Sequence, residues 1–262
     1  MTDINTRDGT GAKSSSENER PFVKTPRALP KRFYKTVRVH HGEQSHQILL
    51  DGRPVKTPKR NTLEVPSPRL AQALQLEWEE QECHIDPASM PLTRLVNAAL
   101  DGIAGHEAEV IESIAQYLES DAVCYRAKDP QALVLLQQKA WDPILLWASR
   151  DLGLDLKPTQ GVMPVAQPGK TLNKAVEHLS SFGALELAAI HVMTTLTGSL
   201  LICLSLVRGF LTHDEAWTGA HIDEDFQVRQ WGEDHEAMVR RTLRRQEFDA
   251  AHRLLRKLSN KS

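Results

Sequence analysis

The sequence predicts an α+β chain in which a small antiparallel sheet precedes a longer, all-helical part. Three observations predict it. Between residues 32 and 65 apolar side chains recur closer to every second position than to every 3.6. At Ser67-Pro68 the period lengthens to that of a helix, and helical segments follow to the C-terminal end. Residues 187–207 form an uncharged apolar run of the kind that fills the centre of a helical bundle.

The first twenty residues, "MTDINTRDGTGAKSSSENER", are polar, rich in Ser and Gly, and carry several acids. They lack the apolar stretch of a secretory signal, and their acids argue against a mitochondrial presequence. Residues 1–28 therefore read as a disordered tail. The sheet begins in "YKTVRVH", where Val37 and Val39 alternate with Arg38 and His40, and continues in "HQILL". Asp51-Gly52 supplies the hairpin turn before "RPVKT", and "TLEV" adds a further short strand after a basic loop. Ser67 caps a helix whose first position suits Pro68, and Leu70, Leu74 and Trp78, with Glu77 and Glu79, continue it as one amphipathic element. Further helices are expected at 92–100, 107–118, 132–152 with a joint at Asp142-Pro143, 172–181, 185–207, and from His213 onward. The division this suggests is a small α+β domain over 29–120 and a helical bundle over 121–262.

The apolar run 187–207 is long enough to cross a bilayer. It nevertheless holds His191, Gly198 and several hydroxyl side chains, and neither a positive cluster nor an aromatic belt flanks it. A buried central helix is the better reading. A formal charge of −2 supplies no general attraction to nucleic acid or membrane. Cys83, Cys124 and Cys203 lie far apart without a C-x-x-C pair and read as reduced thiols rather than a disulfide framework.

"GVMPVAQPGKT" ends in the Gly-Lys-Thr of a phosphate-binding loop, but Pro164 stands where the first glycine of G-x-x-x-x-G-K-[ST] belongs and removes an N–H from the cradle. "HEAEV" at His106 and "HEAMV" at His235 start like a zinc-protease helix, yet Val110 and Val239 hold the second ligand position. His40 and His41 fall on opposite faces of a strand. No G-x-S-x-G elbow is present, and Ser199 in "TGSLL" falls inside the apolar helix, where small residues favour close packing. Acid pairs such as Glu79-Glu80 and the run Asp223-Glu224-Asp225 fit solvated helix faces, while a hydrolase with an acidic cleft between the two domains stays open as an alternative. From Arg240 to Lys261 eight basic residues face only Glu247 and Asp249. That could suit phosphates, but basic residues near a helix C-terminus also complement its dipole. Just before it, Phe226 and Trp231 stand five apart amid acids and point to separate sides of a helix, one for the core and the other for a different neighbour.

The order of segments carries more. "KRFYK" at 31–35, "LDGRPVKTP" at 50–58, "LEWEEQ" at 76–81, "MPLTRLVNAALDG" at 90–102, "YLESDAVCYRA" at 117–127, "WDPILLW" at 141–147, "TGSLL" at 197–201 and "DEDFQVRQWGEDHEA" at 223–237 resemble, in sequence and order, the assembly chaperones of the F-type ATP synthase that bind its free α subunit. The resemblance covers the chain from Lys31 to the last helix. It implies a small α+β domain joined to an orthogonal all-α bundle. It also implies an ATP-independent holdase with no catalytic residues, nucleotide, cofactor or metal, no nucleic-acid partner and no stable membrane insertion. With such a tail, the bacterial cytoplasm is the expected location, the mitochondrial matrix being the eukaryotic counterpart. Asp223, Glu224 and Asp225 match the family's acidic cluster before a W-G pair. With Gln227, Trp231 and Asp234 they are the expected partner-binding residues, the acids giving orientation and Trp231 the anchor. Trp231 and Gly232 could instead hold this helix against the bundle.

Overall fold

The computed structural model describes residues 28–161 and 165–259. The tail expected over residues 1–28, but for its last residue, and Pro164 lie outside them. The sheet is built as the alternation requires. β1 (Val37–His41) pairs antiparallel with β2 (His46–Leu50), in the register Val37 to Leu50. β2 also pairs with β3 (Arg53–Pro54) and β4 (Glu64–Val65). Asp51 and Gly52 both take positive φ, 48° and 82°, the two-residue turn that matches strand twist. The Asp51 carboxylate accepts the amides of Thr36 and Lys35, which hold its pKa below the usual value. Ile48, Leu50 and Val37 face inward, and α1 (Pro68–Glu79) packs on this face.

Ser67 caps α1 as expected, and its hydroxyl also donates to the carbonyl of Lys257 near the other end of the chain, at 2.5 Å. Glu77 departs from the sequence reading. It is 5% exposed, and its two oxygens accept the amides of Leu92 and Thr93 at 2.8 and 2.7 Å. These open α2 (Pro91–Ala98), whose own cap position, Met90, offers no side-chain acceptor. A π turn extends α2 to Ile103, and α3 (Glu107–Ala115) closes the first half.

A parallel pair of two-residue strands, β5 (Tyr125–Arg126) and β6 (Thr159–Gln160), brackets α4 (Gln131–Trp147). Strands so short leave no period in the sequence. The joint expected at Asp142-Pro143 does not divide α4. Pro143 sits on its exposed side while Trp141, Ile144 and Trp147 bury on the other. α5 (Gly169–Leu179) starts three residues earlier than expected, so Gly-Lys-Thr is its first turn. Thr171 is fully buried and donates to the carbonyl of Asp155 at 3.0 Å, and Lys170 lies 3.5 Å from that residue's carboxylate.

The single helix expected over 185–207 is two, α6 (Ala184–Thr197) and α7 (Leu200–Val207). Gly198 breaks it in the left-handed region, φ +65°, and Ser199 caps α7 by accepting the amide of Ile202. "TGSLL" is thus a buried corner rather than helix interior. Asp121 explains why it stays there: fully buried, it accepts the Ser199 hydroxyl at 2.6 Å and the amide of Leu201 at 3.1 Å, and the amide of Ala122 donates to the Gly198 carbonyl. α6 is apolar nearly all round because α10, α7, α2 and α3 surround it. Among the described residues no helix is long and apolar enough to cross a membrane. α8 (His213–Ala220), α9 (Ile222–Trp231) and α10 (His235–Leu258) complete the chain. One packed interior runs from Tyr34 to Leu254.

Candidate functional site

α8 begins with a capping box, Thr212 and Glu215 each accepting from the other's end of the turn. At its end the chain bends through His221, which is buried. The Nδ1 of His221 donates to the carbonyl of Trp217 at 2.7 Å, so its Nε2 accepts from the Arg244 guanidinium at 3.1 Å. Burial lowers the His221 pKa and favours this neutral form. The same guanidinium donates to the carbonyl of Leu196 at the end of α6 and pairs with Glu224 at 3.0 Å. Arg241 pairs with Asp225 at 2.5 Å. On the other side, Asp223 accepts from Gln137 of α4 at 2.7 Å. α9 is therefore fastened between α4 and α10 by its own acidic run.

Gly232 follows with φ +88° and ψ 176°, a conformation essentially restricted to glycine, and it turns the chain back. Asp234 caps α10, accepting the amides of Glu236 and Ala237 at 2.8 and 3.2 Å. Trp231, at the apex of this hairpin, is 80% exposed. It does not hold α9 against the bundle; the ion pairs to α10 and the Gln137 contact do that, while Gly232 turns the chain.

Beside Trp231 lies a groove of about 430 Å³ floored by Val228, Ala237 and Met238, with Gln227 and Glu224 on one rim and Arg240, Arg241 and Arg244 on the other. Val239 and Leu243, four apart on α10, are also exposed, on the face of that helix turned away from the groove-lining Ala237, Arg241 and Arg244. Full burial along α10 starts only at Phe248, and before it Met238, Val239 and Leu243 are exposed. An exposed tryptophan beside an apolar groove floor marks a candidate contact surface.

The expected residues thus fall into two groups. Trp231, Gln227 and Glu224 line the groove. Asp234 also borders it, but as a helix cap, and Asp223 and Asp225 are bonded inward. Arg241 and Arg244 are not legible as part of the site in sequence, where they read as dipole complements or phosphate ligands. Arg240, Arg241, Arg244, Arg245 and Arg253 instead pair with acids of this chain. The pairing across the hairpin spans 16 and 20 residues, and no helical spacing signals it. Phe226, half-buried, takes the inward side that α9 offers.

No group of three metal-ligating side chains occurs among the described residues. The acids around the neighbouring α4–α8–α9 groove are engaged as well. Asp214 pairs with Arg245, which lowers its pKa, and the Glu215 carboxylate is held low by the amide and hydroxyl of Thr212.

A model of the family described as ATP12 chaperone protein matches residues 31–149. The mitochondrial protein atp12 of Schizosaccharomyces pombe is 24% identical over 221 residues, 79% of this chain and 75% of that one. Two solved structures superpose closely. The Atu1473 protein of Agrobacterium tumefaciens is 45% identical, with 88% of this chain and 87% of that chain covered and a TM-score of 0.84. Atp12 from Paracoccus denitrificans is 35% identical, with 88% and 99% covered and a TM-score of 0.82. The ordered segments, the fold and these relatives agree: the chain belongs to the ATP12 chaperone family.

Proposed function

We propose that this chain is an ATP-independent holdase of the bacterial cytoplasm that binds the unassembled α subunit of the F-type ATP synthase, keeps it from aggregating, and yields it to the β subunit. Family membership supports the general role in ATP synthase assembly. The observation that carries the specific reading is the exposed Trp231 on a hairpin whose base is firmly bonded. An α subunit without its neighbours exposes apolar surface, which promotes aggregation. A preorganised tryptophan beside Val228 and Met238 covers such surface with little ordering cost. Release needs no nucleotide if the native subunit contact, being larger, displaces the chaperone.

In this reading Trp231 and Gln227 touch the client and Glu224, about half exposed, orients it. Asp223, Asp225 and Asp234 act chiefly by fixing the hairpin on which those contacts stand. The test dilutes chemically unfolded α subunit into buffer without nucleotide, with and without the chaperone, and follows light scattering and gel filtration. Suppressed scattering and a co-eluting complex, both weakened in Trp231→Ala, are expected. Unchanged scattering with no complex would overturn the proposal.

A further inference from the structure

On the side of α9 away from Trp231 lies a second groove of about 610 Å³, bounded by α4, the α7–α8 connection, α8 and α9. Its floor is apolar, from Leu136, Ala140 and Ile144 to Phe210 and Leu211. The apolar surface continues along the outer face of α4, where Leu135 and Leu146 are 55% and 69% exposed, and Phe210, stacked on Trp147, is 39% exposed. Residues 135, 139, 143 and 146 share one helical face, a strip of about 17 Å at 1.5 Å per residue. That is roughly the length of three helical turns.

The charge around this strip is asymmetric. Asp214 and Asp225 are paired with arginines of α10, Asp142 with Arg126, and Glu215 closes its capping box. Lys139 and Arg229, both lining the groove, make no ion pair among the described residues. Of the lining groups without a counter-charge, Lys139 and Arg229 outnumber Glu215, so the charge left for an occupant to meet is on balance positive. The groove also adjoins the Trp231 site: Asp225 lines one, its partner Arg241 lines the other, and their ion pair is the wall between them.

We propose that this groove is a second docking site for the same client chain, taking an amphipathic helical segment of about three turns whose apolar stripe lies on α4 and whose flanking carboxylates meet Lys139 and Arg229. The inference rests on the holdase reading above and deepens it. One client would then straddle α9, with Trp231 engaged on one side and the α4 strip on the other. Two such contacts linked through one chain reinforce each other through effective concentration.

The test measures complex formation with refolding α subunit by gel filtration and its apparent affinity by competition. Four proteins are compared: wild type, Trp231→Ala, the pair Leu135→Ser with Leu146→Ser, and the pair Lys139→Glu with Arg229→Glu. All the altered side chains are solvent-exposed, and an unchanged thermal midpoint checks that each variant folds. Both α4-side pairs are expected to weaken binding about tenfold or more, as does Trp231→Ala, with the charge pair also flattening the salt dependence. Wild-type binding that Trp231→Ala weakens but neither α4-side pair alters overturns the second site and leaves the holdase reading intact. Failure of the wild type to bind overturns both. Concentration-dependent dimerisation of the wild type, abolished by Leu135→Ser with Leu146→Ser, would assign the strip to a second copy of this chain and overturn the client assignment.

Discussion

Trp231 and Gly232 are adjacent in sequence and opposite in physical role. The tryptophan adds little to the stability of its hairpin, because most of its surface is in water. Trp231→Ala is therefore expected to change folding stability by less than about 0.5 kcal/mol in urea titration while sharply reducing client retention. Gly232→Ala should do the reverse first. Its new Cβ would meet nothing within 4 Å, so the cost is backbone strain of about 1–3 kcal/mol, read from the same titration. A third residue gives a pH signature. Burial raises the Asp121 pKa from 3.8 to about 6, against the lowering effect of the Ser199 hydroxyl and the amides of Leu201 and Val123. Because the folded value is the higher one, Asp121's contribution to stability is full below about pH 4 and is lost as pH rises through about 6. At about 1.4 kcal/mol per unit this loss is on the order of 3 kcal/mol. Asp121→Asn should remove that component from a stability profile measured between pH 4 and 7. An unchanged profile would show that Asp121 does not titrate differently on folding. Asp51, whose pKa is lowered by the Thr36 and Lys35 amides, acts with the opposite sign: its contribution fades as pH falls.

Helix ends are where elements of this chain depend on one another. α2 borrows its N-terminal acceptor from α1, through Glu77, because Met90 cannot serve. Glu77→Ala would leave two buried amides unsatisfied and should cost at least about 2 kcal/mol, with local loss of hydrogen-exchange protection at Leu92 and Thr93. Little change at either amide would mean that the end of α2 finds another acceptor. The break between α6 and α7 works by the same logic. Ser199 supplies the cap, Asp121 holds the cap's hydroxyl, and the left-handed Gly198 lets the chain turn. In the α9–α10 hairpin, Arg244 performs this service for three elements, through Leu196, His221 and Glu224.

Across the whole molecule, these ties bind the early and late parts of the sequence into one interior. Ser67 bonds Lys257, Arg94 pairs with Glu247, and α6 packs on helices from both halves. Denaturant unfolding followed by tryptophan fluorescence and by far-ultraviolet circular dichroism should therefore give coincident transitions. Two separated transitions would instead support independent folding of the parts divided near Ser120. A hairpin fastened at its base and exposed at its tip suits the holdase proposed above, because little of such a surface must be ordered on binding.

The sheet, its Asp51-Gly52 turn, the Ser67 cap and most helices were legible because each is a local pattern: alternation, turn chemistry or a capping residue beside a periodic run. Family identity was legible for a related reason, since ordered segments survive as strings. Trp231 was legible as an unusual residue among acids, but its two possible roles were not separable in sequence. Whether a side chain on a helix faces a neighbour or water depends on what packs there, and that is a tertiary fact. The same holds for Glu77, which sequence placed with the charged residues of an amphipathic helix, and for residues 185–207, where apolarity without an evident stop signal hid the corner held by Asp121. Arg241 and Arg244 were hidden because their acids lie beyond a turn, at separations set by the hairpin rather than by any helical repeat. Sequence alone determined the fold class, most of the local elements and the family. Only the tertiary structure decided which charges are neutralised within the chain and which apolar side chains remain uncovered, because pairing and burial are settled by distance in space and not by position along the chain.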